Sequence, residues 1–383
     1  MVKLTTLFKE FYESEKSAGI ILLIATVLSL ILANSAMQDP YINFWQYDVG
    51  GHSITHWIND ALMAIFFLLI GLELEREIYI GELSDLKNAS FPIISSFGGF
   101  LIPAAIFLIF NYGTPTQSGA GIPMATDIAF AIGILSLLGN RVPISLKIFL
   151  TAVAVIDDLV AIIVIALFYT KTLIWSNLLI SLSIFGALLL LNRLKVQKLL
   201  PYLLGGVAMW YFMYNSGVHA TITGVLLAFA IPFGNGSSNS ISYKLQHFLH
   251  KPVAFIILPL FAIANTAISI GSDWQSGLGE SNSIGIMVGL VLGKPLGIMI
   301  FALIGVAVGA CSLPKDLKWQ NIIGVGLLSG IGFTMSIFIT ILAYSDELLI
   351  NNSKIAIIVA SIIAGFSGFI VLRLTLKEKR SEV

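Results

Sequence analysis

"AVAVIDDLVAIIVIALFYT", running from Ala152 to Thr170, sets two consecutive carboxylates, Asp157 and Asp158, inside an apolar run long enough to cross a bilayer. A carboxylate at mid-bilayer on an isolated helix costs on the order of 2.5–3.5 kcal/mol even on the mild insertion scale, so such acids ordinarily face a protein interior or a water path. Consecutive residues on a helix point about 100° apart around its axis. The two acids therefore serve different neighbours. One faces the cavity that receives a ligand, and the other faces a neighbouring helix and needs its own partner there.

The rest of the chain agrees with a membrane setting. Of its 383 residues 57% are hydrophobic and 11% charged, with a mean hydropathy of +0.93, against roughly 45–50% apolar and 25% charged in soluble domains. This composition defines an all-α polytopic membrane protein. Apolar stretches of roughly 20 residues begin near residues 17, 57, 91, 117, 144, 176, 199, 217, 252, 284, 320 and 354, twelve in all, of which those near 199 and 217 are short. The net charge is zero and no basic run interleaves with aromatics, which excludes a nucleic-acid partner. The single Cys311 excludes a disulfide framework and a cysteine-based zinc cluster. No cofactor is called for, and the chain reads as a transporter rather than an enzyme.

Lysine and arginine placement tests the span count, because positive residues collect in cytoplasmic loops. With twelve spans only Lys171 and Lys354 fall on one side; Lys294 lies inside a span and the remaining eighteen share the other side. That bias predicts an even number of spans with both termini cytoplasmic. The opening segment, with apolar residues Ala18–Leu32 followed by Ala33-Asn34-Ser35-Ala36, also has the outline of a cleavable signal peptide, but the even topology needs this helix. In "FWQYDVGGHSITHW", Phe44–Trp57, aromatic and β-branched residues flank Gly50-Gly51, the pattern of a two-residue hairpin on the outer side. An ordinary loop with two glycines is the competing reading.

Three acids lie within spans: Asp127, Asp157 and Asp158. Asp127 belongs to "GIPMATDIAFAIGIL", Gly121–Leu135, where Gly121, Pro123, Thr126 and Gly133 crowd one short stretch. That predicts a span interrupted near the midplane, whose free carbonyls can bind a cation. A second weak stretch is "GLLSGIGFTMSIFITIL", with Gly326, Gly330 and Gly332 just before Thr334 and Ser336; close glycine packing would explain it equally. Two interrupted spans in separate halves point to a transporter with inverted repeats. Broken helices leave partial positive charge at their N-terminal ends and partial negative charge at their C-terminal ends. Asp127 suits the first. Lys294, in "GLVLGKPLGIMIF", is expected to meet C-terminal ends, an inner carboxylate, or both. Such an acid cluster can exchange protons for a hard cation held by oxygen ligands. The alternatives are a passive cation channel, intramembrane aspartyl proteolysis using Asp127 and Asp158, and acids that merely hold helices together. Proteolysis lacks its Tyr-Asp and Gly-x-Gly-Asp contexts, and a single intramembrane lysine cannot pair three acids.

At "ATDIAFAIGILSLLGNRVPISLKIFLTAVAVIDDL", "NSGVHATITGVLLAFAIP", "GLVLGKPLGI" and "GIGFTMSIFI", the sequence resembles the bacterial sodium/proton antiporters of the NhaA family over nearly its whole length. The resemblance implies an inner-membrane protein with broken, crossing fourth and eleventh spans. Residues 91–170 and 284–383 would form a core carrying the ion site. Residues 1–90 and 171–283 would form dimerisation and panel helices, with a hairpin near 43–57 as the homodimer contact. It implies electrogenic export of Na⁺ or Li⁺ in exchange for H⁺, activated toward alkaline pH and serving pH and sodium homeostasis. By position, Asp157, Asp158 and Thr126 would bind the transported cation or protons, with Asp158 the stronger ligand and Asp157 the partner of Lys294, while Asp127 balances the crossing. Glu73, Arg76 and Glu77 in "GLELEREIYIGEL", with His219 and His247, fall on the family's pH-response positions. Gln246 departs from the pattern, standing where members can carry an acid beside His247, so a different pH set point is expected.

Overall fold

The computed structural model describes residues 6–170, 172–271 and 274–376. Lys3, Lys171, Lys377, Lys379 and Arg380, used in the charge-placement argument, lie outside them. The described chain is mostly helical. Helix α1 (Thr6–Ala33) gives way to α2 (Gln38–Gln46) through a bend of 116°. Strand β1 (Asp48–Val49) then pairs antiparallel with β2 (His52–Ser53), Asp48 opposite Ser53 and Val49 opposite His52. Between them Gly50 and Gly51 have φ of +68° and +90°. Positive φ at both central positions is what a type I′ hairpin requires, and glycine adopts it without strain. The Gly51 N–H donates to Asp48 Oδ1 at 2.9 Å, and the Trp57 indole donates to the Val49 carbonyl at 2.8 Å.

Ser53 caps the next helix, α3 (Ile54–Trp57), accepting the His56 N–H at 3.1 Å. A π-helical turn, Ile58–Leu62, continues it into α4 (Met63–Tyr79). The chain then forms α5 (Leu86–Asn111), a 3₁₀ run at Gln117–Met124, α6 (Ile128–Ser136), α7 (Ile144–Phe168), α8 (Trp175–Arg193), α9 (Leu199–Tyr214) and α10 (Ile222–Ala230). A second π turn, Val253–Ile257, joins α11 (Ile241–Pro252) to α12 (Leu258–Asn265). After α13 (Trp274–Leu278), a third, Gly289–Gly293, joins α14 (Ser281–Val288) to α15 (Lys294–Ala307). The chain closes with α16 (Trp319–Ser329), α17 (Phe333–Ala343) and α18 (Glu347–Thr375).

Eight of the described helical segments are long and apolar enough to cross a membrane, or ten if each of two bent pairs counts as one span. The sequence predicts twelve. The difference lies in the short stretches near 199 and 217: α9 has 16 residues and α10 only 9, below the ~20 that a straight crossing needs.

The chain forms two compact units. Among the described residues, the first is built on 6–14, 24–84 and 162–267, and the second on 15–23, 85–161 and 268–376. In the first, Asn265 Nδ2 donates to Asn59 Oδ1 at 2.7 Å and ties α12 to the first π turn, while Ser29 Oγ donates to the Ile263 carbonyl at 2.8 Å. In the second, α5 and α15 meet at Gly98 and Gly297, where a Cβ on either would strike the carbonyl of the other. Contact this close needs residues without side chains. It also seats the start of α15, so that Lys294 is among the largest fully buried side chains, with Phe107, Phe149 and Phe338.

Candidate functional site

The site lies in the second unit, where two helical runs stop at mid-course. The first run is 3₁₀ from Gln117 to Met124, includes Pro123, becomes extended at Ala125 and resumes as α6 at Ile128. The second stops at Ser329, passes through Gly330–Gly332 and resumes as α17 at Phe333 with a bend of 47°. Proline withholds an N–H, and glycine weakens a helix by its freedom in the unfolded chain. The backbone groups freed at each break are taken up by the other. The Asp127 N–H donates to the Ile331 carbonyl at 2.6 Å, Thr126 Oγ1 to the Ser329 carbonyl at 2.8 Å, and Ser336 Oγ to the Ile122 carbonyl at 2.7 Å.

Asp127 joins the two resumed helices. Its Oδ1 accepts the Phe130 N–H at 3.1 Å and caps α6, while its Oδ2 accepts both the Thr334 N–H at 2.9 Å and the Thr334 hydroxyl at 2.5 Å in the first turn of α17. One carboxylate thus faces the N-terminal ends of two helices. Each end carries about half an elementary positive charge, so the pair offsets one negative charge in an interior where Asp127 is almost fully buried.

Beside this junction stand Asp157 and Asp158 on α7, each 1% exposed. Lys294 Nζ donates to Asp157 Oδ2 at 2.5 Å and to Thr126 Oγ1 at 3.0 Å. Of the expectations for Lys294, the inner carboxylate is met through this pair. Thr126 Oγ1 lies 2.7 Å from Asp157 Oδ2 and 2.8 Å from the Ser329 carbonyl. A hydroxyl has one proton, so Thr126 serves one of these acceptors at a time. Asp157 Oδ1, Asp158 Oδ1 and Ser329 Oγ are buried without a hydrogen-bond partner among the described residues. Asp127 balanced by its helix ends and Lys294 by one aspartate leave one carboxylate in surplus. No group of three or more His, Cys, Asp and Glu among the described residues is arranged to hold a metal ion, so a cation at the two aspartates would draw its further ligands from hydroxyl and carbonyl oxygens.

The candidate pH-response residues belong to the first unit. Glu73 on α4 is buried, and its Oε1 lies 4.0 Å from His250 Nε2 on α11. The Arg76 guanidinium sits 5.2 Å above the Tyr243 ring, against which His247 stacks at 6.3 Å. Glu77 packs its carboxylate beside Gly81, and Gln246 is buried on α11. His219 lies elsewhere in this unit, with its Nε2 2.9 Å from the Tyr169 carbonyl. Sequence reasoning passed over His250, the buried Glu75, and Ser329. For His250 the i, i+3 spacing from His247 was an available signal; for Ser329 it was the one hydroxyl abutting the Gly330–Gly332 break.

Two helical runs interrupted at one place, with their ends joined around buried acids and a single lysine, define a secondary membrane transporter. Residues 9–372 match the family described as Na⁺/H⁺ antiporter 1, and the chain belongs to that family. It is 66% identical over 380 residues to "Na(+)/H(+) antiporter NhaA 1" of Flavobacterium johnsoniae, covering 99% of this chain and 100% of that one. It is 63% identical over 376 residues to "Na(+)/H(+) antiporter NhaA" of Flavobacterium psychrophilum, covering 98% of each. A solved structure of a sodium proton antiporter from Methanocaldococcus jannaschii shares the fold, with a TM-score of 0.52 at 17% identity over 94% of this chain and 92% of that one.

Proposed function

We propose that this chain exports Na⁺, or Li⁺, in exchange for H⁺ across the bacterial inner membrane, through competition of cation and protons for Asp157 and Asp158. The observation that carries the reading is the pair of uncommitted carboxylate oxygens, Asp157 Oδ1 and Asp158 Oδ1, buried beside one lysine. A buried carboxylate with an open oxygen is stable only if it binds a proton or a cation there. Asp158 acts as the principal cation ligand, and Thr126 adds a hydroxyl oxygen. Lys294 holds Asp157 in place, and Asp127 keeps the two half-helix ends together while the site changes sides.

Exchanging one cation for two protons changes the charge of the site by one, which makes the cycle electrogenic. Because the protons must leave before the cation enters, exchange rises toward alkaline pH. Glu73, Arg76, Glu77, His219 and His247 tune that response, with Gln246 shifting its set point, and the exchange serves pH and sodium homeostasis. Twelve spans with both termini cytoplasmic complete the topology, α9 and α10 supplying the short crossings. Residues 91–170 and 284–383 move as the core against the panel of 1–90 and 171–283. The hairpin at Asp48–Ser53 faces outward and joins two copies in a homodimer.

The test is Na⁺-driven dissipation of ΔpH in everted vesicles. Asp158→Asn is expected to abolish it for both Na⁺ and Li⁺. Normal exchange by that variant overturns the assignment, and cation flux without proton counterflow in the unmodified protein indicates a channel.

A further inference from the structure

We propose that Ser329 is a cation ligand of the exchange site and sets its discrimination between Na⁺ and Li⁺; the proposal rests on the exchange reading above. Ser329 is the last residue of α16 and is fully buried. Its carbonyl receives the Thr126 hydroxyl at 2.8 Å, and Thr126 in turn meets Asp157 at 2.7 Å and Lys294 at 3.0 Å. One residue therefore separates Ser329 from the charged cluster. The Ser329 Oγ has no hydrogen-bond partner among the described residues. A buried hydroxyl in that condition is a net loss to folding, and alanine would avoid it.

The hydroxyl does have a use if a cation is present. It stands at the C-terminal end of a half-helix, where the backbone carries partial negative charge. It shares its condition with Asp157 Oδ1 and Asp158 Oδ1, and its own carbonyl is joined to Asp157 through the Thr126 hydroxyl. Hard monovalent cations take carboxylate, hydroxyl and carbonyl oxygens. When the lone pairs of Thr126 turn to the ion, its proton rests on the Ser329 carbonyl, so Ser329 orients one hydroxyl ligand and supplies another. A neutral ligand adds no charge, and it acts through ligand number and cavity size, the quantities that separate hard cations of unequal radius. Na⁺ is the larger ion and needs the more numerous set. Removal of Ser329 Oγ weakens Na⁺ more than Li⁺.

Ser329→Ala and the near-isosteric Ser329→Cys test this in purified full-length protein at fixed alkaline pH, by thermal unfolding against NaCl and LiCl. An ion that binds the folded state alone stabilises it by RT ln(1 + c/Kd) at ion concentration c, so the dependence of the melting temperature on ion concentration yields the half-saturating concentration of the site. Without either ion, Ser329→Ala should melt at or above the unmodified protein. Its half-saturating Na⁺ concentration should rise about tenfold and that for Li⁺ less than threefold, with the same change of ratio in vesicle exchange, by analogy with single-ligand losses. A merely structural role would lower the melting temperature or the rate and leave the Na⁺ to Li⁺ ratio unchanged, and that result overturns the proposal. Asp158→Asn runs alongside. If it keeps both ion responses, the site reading fails and the proposal with it; if it loses both while Ser329→Ala keeps the original ratio, the proposal alone fails.

Discussion

Lys294→Met removes the one ammonium of the site while keeping most of the side-chain volume, and its consequence can be worked from the geometry. Lys294 is fully buried, and its Nζ lies 2.5 Å from Asp157 Oδ2 and 3.0 Å from Thr126 Oγ1. Removing one member of a buried ion pair costs about 3–5 kcal/mol, because the other charge stays behind unpaired. At ~2 °C per kcal/mol for a large chain, the melting temperature should fall by about 6–10 °C. The abandoned Asp157 has a way out, since it can take up a proton and shed its charge. The deficit should therefore be largest at alkaline pH and shrink as the pH falls through the range where that proton is bound. Adding Asp157→Asn removes both charges and keeps an oxygen for Thr126; the double variant should recover at least half of the loss. Unfolding followed by loss of the monodisperse chromatographic peak in detergent, without sodium, at pH 6 and pH 9 measures all three proteins. A double variant no better than Lys294→Met refutes the pair as the source of stability.

Two other outcomes follow from the same site. Asp127→Asn keeps the shape but loses the charge at two helix N-termini and turns an amide N–H₂ toward donors on α6 or α17; at 0.3–1 kcal/mol per end, rising to ~2 where partly buried, the loss should be about 1–4 kcal/mol. Unlike the Lys294 deficit it should vary little between pH 6 and pH 9 in thermal unfolding. If protons and Na⁺ compete for Asp157 and Asp158, the half-saturating Na⁺ concentration should rise about tenfold for each unit that the pH falls, per proton that must leave. Isotopic Na⁺ uptake into proteoliposomes over a pH series measures the slope, and a half-saturation independent of pH contradicts competition.

The fold is legible in the sequence where a local pattern carries it. Long apolar runs place most crossings, and Gly50-Gly51 between aromatic and β-branched residues marks a turn whose positive φ values only a local signal could require. Both interruptions are also local: Pro123 and the acid-and-hydroxyl pair after it, and the glycines at 330 and 332. The short crossings are harder to read, because nine residues of α10 have no period of their own beyond that of a buried segment. The three π-helical turns leave no mark, since one extra residue in a turn does not disturb an apolar run. The approach of α5 to α15 rests on Gly98 and Gly297, about 200 positions apart, and nothing in either neighbourhood names the other.

The site divides along the same line. Which residues matter is local, because an acid or a lysine in an apolar span is expensive wherever it points. How they are connected is not. Lys294 suited C-terminal ends or an inner carboxylate equally by charge, and its contact with Asp157 depends on a separation of 137 residues. The same holds for Asp127, whose hold on Thr334 spans 207 residues and gives one carboxylate the N-terminal ends of two helices. Each interruption looked like a weakness when taken alone, a span with its backbone bonds left open in a medium that supplies none. Paired, the open groups of one become the partners of the other, and the charges at the junction are held by the fold before any ion arrives. What remains open there includes oxygens of Asp157, Asp158 and Ser329, which are buried without a hydrogen-bond partner among the described residues.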